Sequence, residues 1–409
     1  MNINYGPKDL FVPPKLYFNR LVLRCVQPFY IRMFKLSAVG IENIPKEGSY
    51  VLVANHSHLL DPFFIGALIR KTVFQMASNE FFRKPLIKRF MWAMGAFPRR
   101  KGYVDLKSIK YAISLVRKGY PLVIYPEGGR NWDGETLPIL KSTAKLIKLL
   151  KVPLVTVVSK GNYLAFPRWA DEKRKSPITI HYSKPVMFDK KSLDDEIIDY
   201  IQKGIYNNDN YTKIKKIKGK NPAVGLPRLL WRCPDCRAID ALEEKNGNYI
   251  LCTSCKKEWE VNLSCYMRKE GTQEWKAIKE YSDTMFREKE IVPLKEEKPQ
   301  RLAPDEKVYL KSKTVTFYHQ PEYPELEEIG KGTLYLTGKG LIFIKKDDDS
   351  FFSYPFENIR GRSTEVNTVF QIVLDDDIAR FEMMQESCYK WEIIYDYIRK
   401  KGGFKETEE

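Results

Sequence analysis

Short runs dense in apolar residues alternate with amphipathic stretches through the first half of the chain. The runs at 48–55, 73–77, 121–126, 152–158 and 177–186 predict strands. Between them, residues 62–69, 105–118 and 141–150 carry apolar positions at helical spacing. Strands alternating with helices specify an α/β unit, with helices packed on a mixed, largely parallel sheet. In such sheets ligands sit beyond the carboxyl ends of the strands.

After about residue 205 the pattern changes. Asn207, Asn208, Asp209 and Asn210 lead into Lys213-Ile-Lys-Lys-Ile-Lys218, which predicts a polar, basic linker over 207–228. A second charged and proline-punctuated stretch follows, so that 265–304 also reads as linker. Beyond it, aromatic and β-branched runs at 308–317, 332–344, 351–356, 369–374 and 378–383 predict a β-rich domain over 305–401. Trp391, Ile394, Tyr395 and Ile398 place a closing helix at its end.

Near the start, Phe18, Leu21, Val22, Cys25, Val26 and Phe29 share one helical face, opposite Asn19, Arg20, Arg24 and Gln27. Arginines interrupt this apolar stretch, which falls short of the ~18 consecutive apolar residues of a membrane span. Residues 1–38 are expected to lie in a bilayer interface; the alternative is packing of the stripe on the protein's own core. Residues 81–92 mix Phe81, Phe82, Phe90 and Trp92 with Arg83, Lys84, Lys88 and Arg89, a pairing favoured at headgroup depth. The net charge of +17 calls for an anionic partner, and with these segments an anionic membrane surface is the partner expected. The chain is therefore expected to be peripheral and monotopic on the cytoplasmic side of a membrane. Seven cysteines show no secreted disulfide framework, which agrees with a reducing setting.

Four of those cysteines form a constellation. Cys233-Pro-Asp-Cys236 and Cys252-Thr-Ser-Cys255 offer four thiolates from two short turns, the donor set of a tetrahedral structural zinc site. Four protein ligands leave no open position for catalysis. The spacing resembles a zinc ribbon, placed at 229–264.

The densest chemistry lies at the first strand end. In Val51-Leu-Val-Ala-Asn-His-Ser-His-Leu-Leu-Asp61, His56 and Asp61 stand with four residues between them. A neutral imidazole oriented by a carboxylate suits deprotonation of an alcohol near neutral pH. The plainer role for Asp61 is a helix N-cap before Pro62, and the two roles are compatible. Leu122-Val-Ile-Tyr-Pro-Glu-Gly-Gly-Arg130 ends a second strand in a turn carrying Glu127, Gly128 and Arg130. The loop 95–102 adds Arg99, Arg100 and Lys101. One base, one carboxylate and cations suited to bidentate phosphate binding point to a phosphate-bearing alcohol as substrate.

With the strand Val152-Pro-Leu-Val155, this set resembles the glycerolipid acyltransferase family, most closely the 1-acyl-sn-glycerol-3-phosphate acyltransferases, over residues 39–206. The resemblance implies transfer of a fatty acyl group from an acyl-CoA or acyl carrier protein thioester to the sn-2 hydroxyl of a lysophospholipid acceptor, in phospholipid biosynthesis. It implies His56 as base with Asp61 orienting it. Arg130 with Arg99, Arg100 or Lys101 would be phosphate ligands, Glu127 a ligand of the glycerol hydroxyl, and Gly128 the residue admitting close backbone approach. The sequence departs from the family at His58, where Ser is usual, at Gly129, where Thr is usual, and at Tyr125, where Phe is usual.

The C-terminal segments Thr333-Leu-Tyr-Leu-Thr-Gly-Lys-Gly-Leu-Ile-Phe-Ile344 and Tyr354-Pro-Phe-Glu-Asn-Ile359 resemble a GRAM or pleckstrin-homology domain. Two other readings compete with an enzyme. One is an idle acyltransferase fold serving as a membrane scaffold, against which stand intact His56, Asp61, Glu127 and Arg130. The other is nucleic-acid binding, against which stand Asp235, Asp240, Glu243 and Glu244 in the ribbon. No nucleic-acid partner is expected.

Overall fold

The computed structural model describes residues 27–29, 31–69, 71–99, 105–214, 216–295, 299, 301–320, 325–375 and 377–404. Most of the expected interfacial stripe between Phe18 and Phe29, together with Arg100 and Lys101, lies outside them.

The first unit contains β1 (Ser37–Val39), β2 (Val51–Ala54), β3 (Phe74–Ser78), β4 (Ala96–Arg99), β5 (Leu122–Ile124), β6 (Leu154–Lys160) and β7 (Thr179–Tyr182). They form one sheet in the order β1-β7-β6-β2-β5-β3-β4. Pairings are parallel except between β6 and β7, so the sheet is mixed with mostly parallel strands. Its helices are α1 (Asp61–Ile69), α2 (Pro85–Ala93), α3 (Leu106–Arg117), α4 (Ser142–Leu150), the single turn α5 (Asn162–Ala165) and α6 (Asp194–Ile205).

The central strand explains why the apolar runs do not alternate with polar residues. Val51 and Val53 pack in one core with Ala112, Leu115, Ile147 and Ile197 from α3, α4 and α6. Leu52 and Ala54 pack on the opposite face with Phe64 and Ile65 of α1. Covered on both faces, the strand needs apolar residues at every position.

The second sheet comprises β8 (Leu242–Lys245), β9 (Tyr249–Cys252), β10 (Glu258–Val261), β11 (Tyr266–Lys269) and β12 (Lys276–Ala277), followed by the short helix α7 (Ile278–Ser282). It is antiparallel, in the order β12-β11-β10-β9-β8. The small unit thus runs past 264 into the stretch expected to be linker. Met267, Ala277, Ile278 and Met285 there are each at most 1% exposed, burial that holds the stretch in place despite its charges. The expected linker at 207–228 is also packed: Asp209 accepts from the backbone N–H groups of Gly161 and Tyr163 at 2.9 and 3.1 Å, and Leu226 is fully buried.

The third sheet contains β13 (Val308–His319), β14 (Glu327–Thr337), β15 (Gly340–Lys345), β16 (Phe351–Pro355), β17 (Gly361–Glu365), β18 (Val369–Val373) and β19 (Ile378–Glu382). These lie in the order β16-β15-β14-β13-β19-β18-β17 and are antiparallel throughout. The helix α8 (Cys388–Lys401) covers it, capped by Ser387, whose side chain accepts from the Lys390 N–H. Trp391, Ile394, Tyr395 and Ile398, the face predicted from sequence, are all buried. One continuous apolar cluster links Trp132 and Trp169 of the first unit to Trp231 and Trp259 of the second and Phe317 and Trp391 of the third.

Candidate active site

His56 and Asp61 meet where β2 ends and α1 begins. The His56 Nδ1 lies 3.0 Å from Asp61 Oδ2, which also accepts from the backbone N–H groups of Ser57 and His58 at 2.9 and 2.8 Å. Asp61 Oδ1 accepts from the Asn162 side-chain amide at 3.0 Å. Asp61 is the first residue of α1, and its carboxylate gathers the preceding turn rather than the helix's own free N–H groups. Burial raises the Asp61 carboxyl, but the hydrogen bond and charge of His56, the charge of His58 and the Asn162 amide together hold it below the usual carboxylate range. An ionised acceptor on Nδ1 fixes the imidazole tautomer and leaves Nε2 as the basic nitrogen. The His56 side chain is 19% exposed and borders a cavity.

Polar side chains lock this loop, Asn55 of the His56–Asp61 motif among them. Asn55 bridges to β6 by donating to Ser159 O at 3.0 Å and accepting from Ser159 N–H at 2.8 Å, extending the sheet by a side chain. Asn131 N–H donates to His56 O at 3.0 Å, and its side-chain amide donates to Ser57 Oγ at 2.8 Å.

Glu127 stands behind the site. Its Oε1 accepts from the His56 N–H at 2.6 Å and its Oε2 from the Leu137 N–H at 2.7 Å. Both oxygens are engaged by backbone, and the cavity is lined instead by its neighbours Pro126 and Gly128. Burial raises the Glu127 carboxyl to about 8 against the opposing pull of those hydrogen bonds. The geometry makes Glu127 a residue that fixes the His56 backbone. Gly128 holds a left-handed φ of 71°, which lets the turn fold back tightly beside the cavity.

Arg99, at the carboxyl end of β4, and Arg130, in the turn after β5, both line the cavity. Burial and the neighbouring Arg168 lower the Arg130 guanidinium to about 9, opposed by Asp61 and Glu365, so it stays cationic at neutral pH. Arg168, not singled out from sequence, is 7% exposed and stacks on the Trp132 ring at 4.1 Å. It donates to Arg130 O at 2.8 Å, Thr364 Oγ1 at 2.7 Å and Val366 O at 3.0 Å.

The cavity measures about 430 Å³. Met76, Ile109, Val123, Leu140 and Leu146 line it together with His56, and Phe90 borders it from α2. A mostly apolar space lined also by His56 and two guanidinium groups can hold a hydrocarbon chain with its polar end at His56.

In the second unit, the four sulfurs of Cys233, Cys236, Cys252 and Cys255 all lie within 4.8 Å of one another. The Cys236 N–H points at Cys233 Sγ and the Cys255 N–H at Cys252 Sγ, each at 3.5 Å. Donors aimed at sulfur stabilise thiolate, so the donor set suits a soft tetrahedral cation.

A family model described as "Acyltransferase" matches residues 35–160. Over 142 residues, 34% of this chain and 46% of the relative, the chain is 30% identical to a 1-acyl-sn-glycerol-3-phosphate acyltransferase of Cocos nucifera. It is 28% identical to the Bacillus subtilis enzyme of that name over 29% of this chain and 60% of the relative. The Saccharomyces cerevisiae enzyme is 27% identical over 39% and 54%. The chain thus spans about half the length of the curated relatives it matches. Among solved structures, the 1-acyl-sn-glycerophosphate acyltransferase PlsC of Thermotoga maritima aligns at 23% identity and a TM-score of 0.39, covering 45% of this chain and 77% of that one. The family-model match takes in His56, Asp61, Arg99, Glu127 and Arg130, so residues 35–160 are similar to the acyltransferase family.

Proposed function

We propose that the protein transfers a fatty acyl group from an acyl thioester to the free hydroxyl of a lysophospholipid. The names of its relatives suggest the sn-2 hydroxyl of 1-acyl-sn-glycerol-3-phosphate as that hydroxyl. The observation that carries the reading is the His56–Asp61 pair opening, with Arg99 and Arg130, onto an apolar cavity. His56 Nε2 takes the acceptor's proton as its oxygen attacks the thioester carbonyl. The tetrahedral intermediate then collapses, the C–S bond breaks, and the departing thiolate recovers the proton from the imidazolium. Asp61 remains ionised throughout, Asn162 and Glu127 hold the pair in place, and Arg130 with Arg99 neutralises the acceptor's phosphate. Coenzyme A and acyl carrier protein thioesters would serve this chemistry equally.

The reading extends to the rest of the molecule. Cys233, Cys236, Cys252 and Cys255 would hold one zinc ion, which supplies cross-linking to the second sheet and no step of the reaction. Exposed Leu86, Ile87 and Phe90 on α2 stand beside Lys84 and Arg89 at the rim of the cavity, a surface suited to a headgroup layer. Seven antiparallel strands closed by a helix support reading the third unit as a pleckstrin-homology or GRAM-type domain.

The deciding experiment incubates purified protein with a panel of lysophospholipids and both thioesters and identifies products by mass. His56→Ala should lose about 10²–10⁴-fold in rate. Unacylated products with every acceptor, or a His56→Ala variant as active as the parent, would defeat the reading.

A further inference from the structure

The acceptor end of the cavity is not built by the acyltransferase domain alone. Glu365 and Val366, at the turn between β17 and β18 of the third sheet, line it together with His56, Arg99 and Arg130. Glu365 is only 4% exposed, and its Oε1 accepts from Ser78 Oγ at 3.3 Å. Ser78 ends β3 and is paired in register with Arg99. The next residue, Val366, accepts at its carbonyl from Arg130 Nη2 at 3.5 Å and Arg168 Nε at 3.0 Å. The acid therefore lines the same cavity as Arg99 and Arg130, and its charge acts on the Arg130 guanidinium.

This placement is fixed. Arg168 reaches across from the first unit to Thr364 O at 3.1 Å and Thr364 Oγ1 at 2.7 Å. Val366 is held at a φ of 53°, a conformation β-branched residues avoid, so tertiary contacts overrule local preference at the tip of the turn. Arg380 of β19 adds an ion pair to Glu80 at 3.0 Å on the same rim. The charge of Glu365 is felt at Arg130, where it opposes the lowering by burial and by Arg168.

We propose that Glu365 is a specificity-determining residue of the acceptor site. It disfavours an acceptor ending in a dianionic phosphomonoester and favours a phosphodiester whose distal group is a cation. The inference rests on the acyl-transfer reading and departs from the headgroup that the relatives' names suggest. A phosphomonoester carries close to two negative charges at neutral pH. Bound against Arg99 and Arg130, its second charge meets a Glu365 carboxylate that is only 4% exposed, where repulsion is less screened than in bulk water. A phosphodiester brings one negative charge, and an ammonium beyond it finds the carboxylate as its partner.

The test compares 1-acyl-glycerol-3-phosphate with 1-acyl-glycerophosphoethanolamine as acceptors for the full-length parent and the isosteric Glu365→Gln variant. The ratio of kcat/KM for the ethanolamine acceptor over the phosphomonoester should fall about tenfold or more in Glu365→Gln. Because both acceptors are measured on one preparation, a partly misfolded variant does not change this ratio. An unchanged ratio, or an equal rise for both acceptors as if a plug had been removed, overturns the proposal. Calorimetric binding of glycerol-3-phosphate and glycerophosphoethanolamine to the same two proteins gives the same ratio without turnover. Absent acyl transfer would thus count against the reaction and leave the headgroup claim to stand or fall by binding.

Discussion

Two histidines with a single residue between them do different work because they are solvated differently. His56 faces the cavity and is oriented by Asp61, whereas His58 is 2% exposed and packs against the rings of Phe34, Phe64 and Phe166. Its Nδ1 accepts from the Leu60 N–H at 2.9 Å, a bond only the neutral ring can make. Burial pushes the His58 imidazole down to about 4 from 6.5, assisted by Arg130 and His56 against the pull of Asp61. The folded state thus binds fewer protons at His58 than the unfolded chain does. The contribution is fully present above about pH 6.5 and is lost as the pH falls through 4, amounting to about 3 kcal/mol when complete. Chemical denaturation between pH 7 and 4 should show the parent losing stability more steeply than His58→Asn, whose amide oxygen can still accept from Leu60. Parallel slopes would show that His58 is not the group that takes up the proton. From sequence, His58 is visible only as a departure from the family's Ser; its burial depends on Phe34 and Phe166, which lie far from it along the chain.

Elements were legible where burial is two-sided or periodic, and obscure where a partner strand supplies the reason for the strand. Residues 51–54 and 122–124 are strands within the apolar runs that predict them. By contrast β4, with Pro98 and Arg99, looks like a cationic loop and becomes a strand only because β3 pairs with it in parallel. β17, Gly361–Glu365, has no apolar residue and is held by β18 and by Arg168. The long run at 332–344 is two strands, because Thr337 Oγ1 accepts from the Lys339 and Gly340 N–H groups and turns the chain. Helix α6 was not among the predicted elements, although Ile197, Ile201 and Ile205 repeat every four residues behind three acidic residues at its start. The second sheet illustrates an element whose stability is argued from its donors. Its five short strands bury Leu242, Ile250, Trp259, Val261, Met267 and Ala277, and the four thiols gather at one end of it. One zinc equivalent per chain is expected by elemental analysis. Cys233→Ser or chelation should collapse amide protection across 242–269 while leaving the strands of the first sheet protected. Structural zinc contributes on the order of 10 kcal/mol in small metal-stabilised domains. Protection unchanged after metal loss would show that packing alone holds the sheet.

At the scale of the whole molecule, no local pattern foretold the contacts that complete the site. Arg168 and Thr364 are 196 positions apart, and Ser78 and Glu365 are 287 apart. Nothing in either segment marks the other as its partner. The same scale bears on how the proposed lipid substrate would reach the cavity. Among the described residues no helix is long and apolar enough to cross a membrane. On α2, however, Leu86 is 82% exposed, with Ile87 and Phe90 also exposed, and the latter two border the cavity. Lys84 and Arg89 flank them and Lys88 lies over the Trp92 ring at 4.8 Å, while the chain as a whole carries +17. Transfer of one such leucine into hydrocarbon is worth about 1.5–3 kcal/mol, and each cation near an anionic surface about 1 kcal/mol. The helix should therefore dock into a headgroup layer with its apolar side chains inserted and its cations at the phosphates. Sedimentation with vesicles should show tighter binding to anionic than to neutral lipid, with added salt removing the difference. Leu86→Glu, a change at an exposed position outside the cavity, should weaken binding to both kinds of vesicle about tenfold or more while leaving the folded stability unchanged. If Leu86→Glu binds as the parent does, α2 is not the docking surface, and the lipid must enter the cavity from another side.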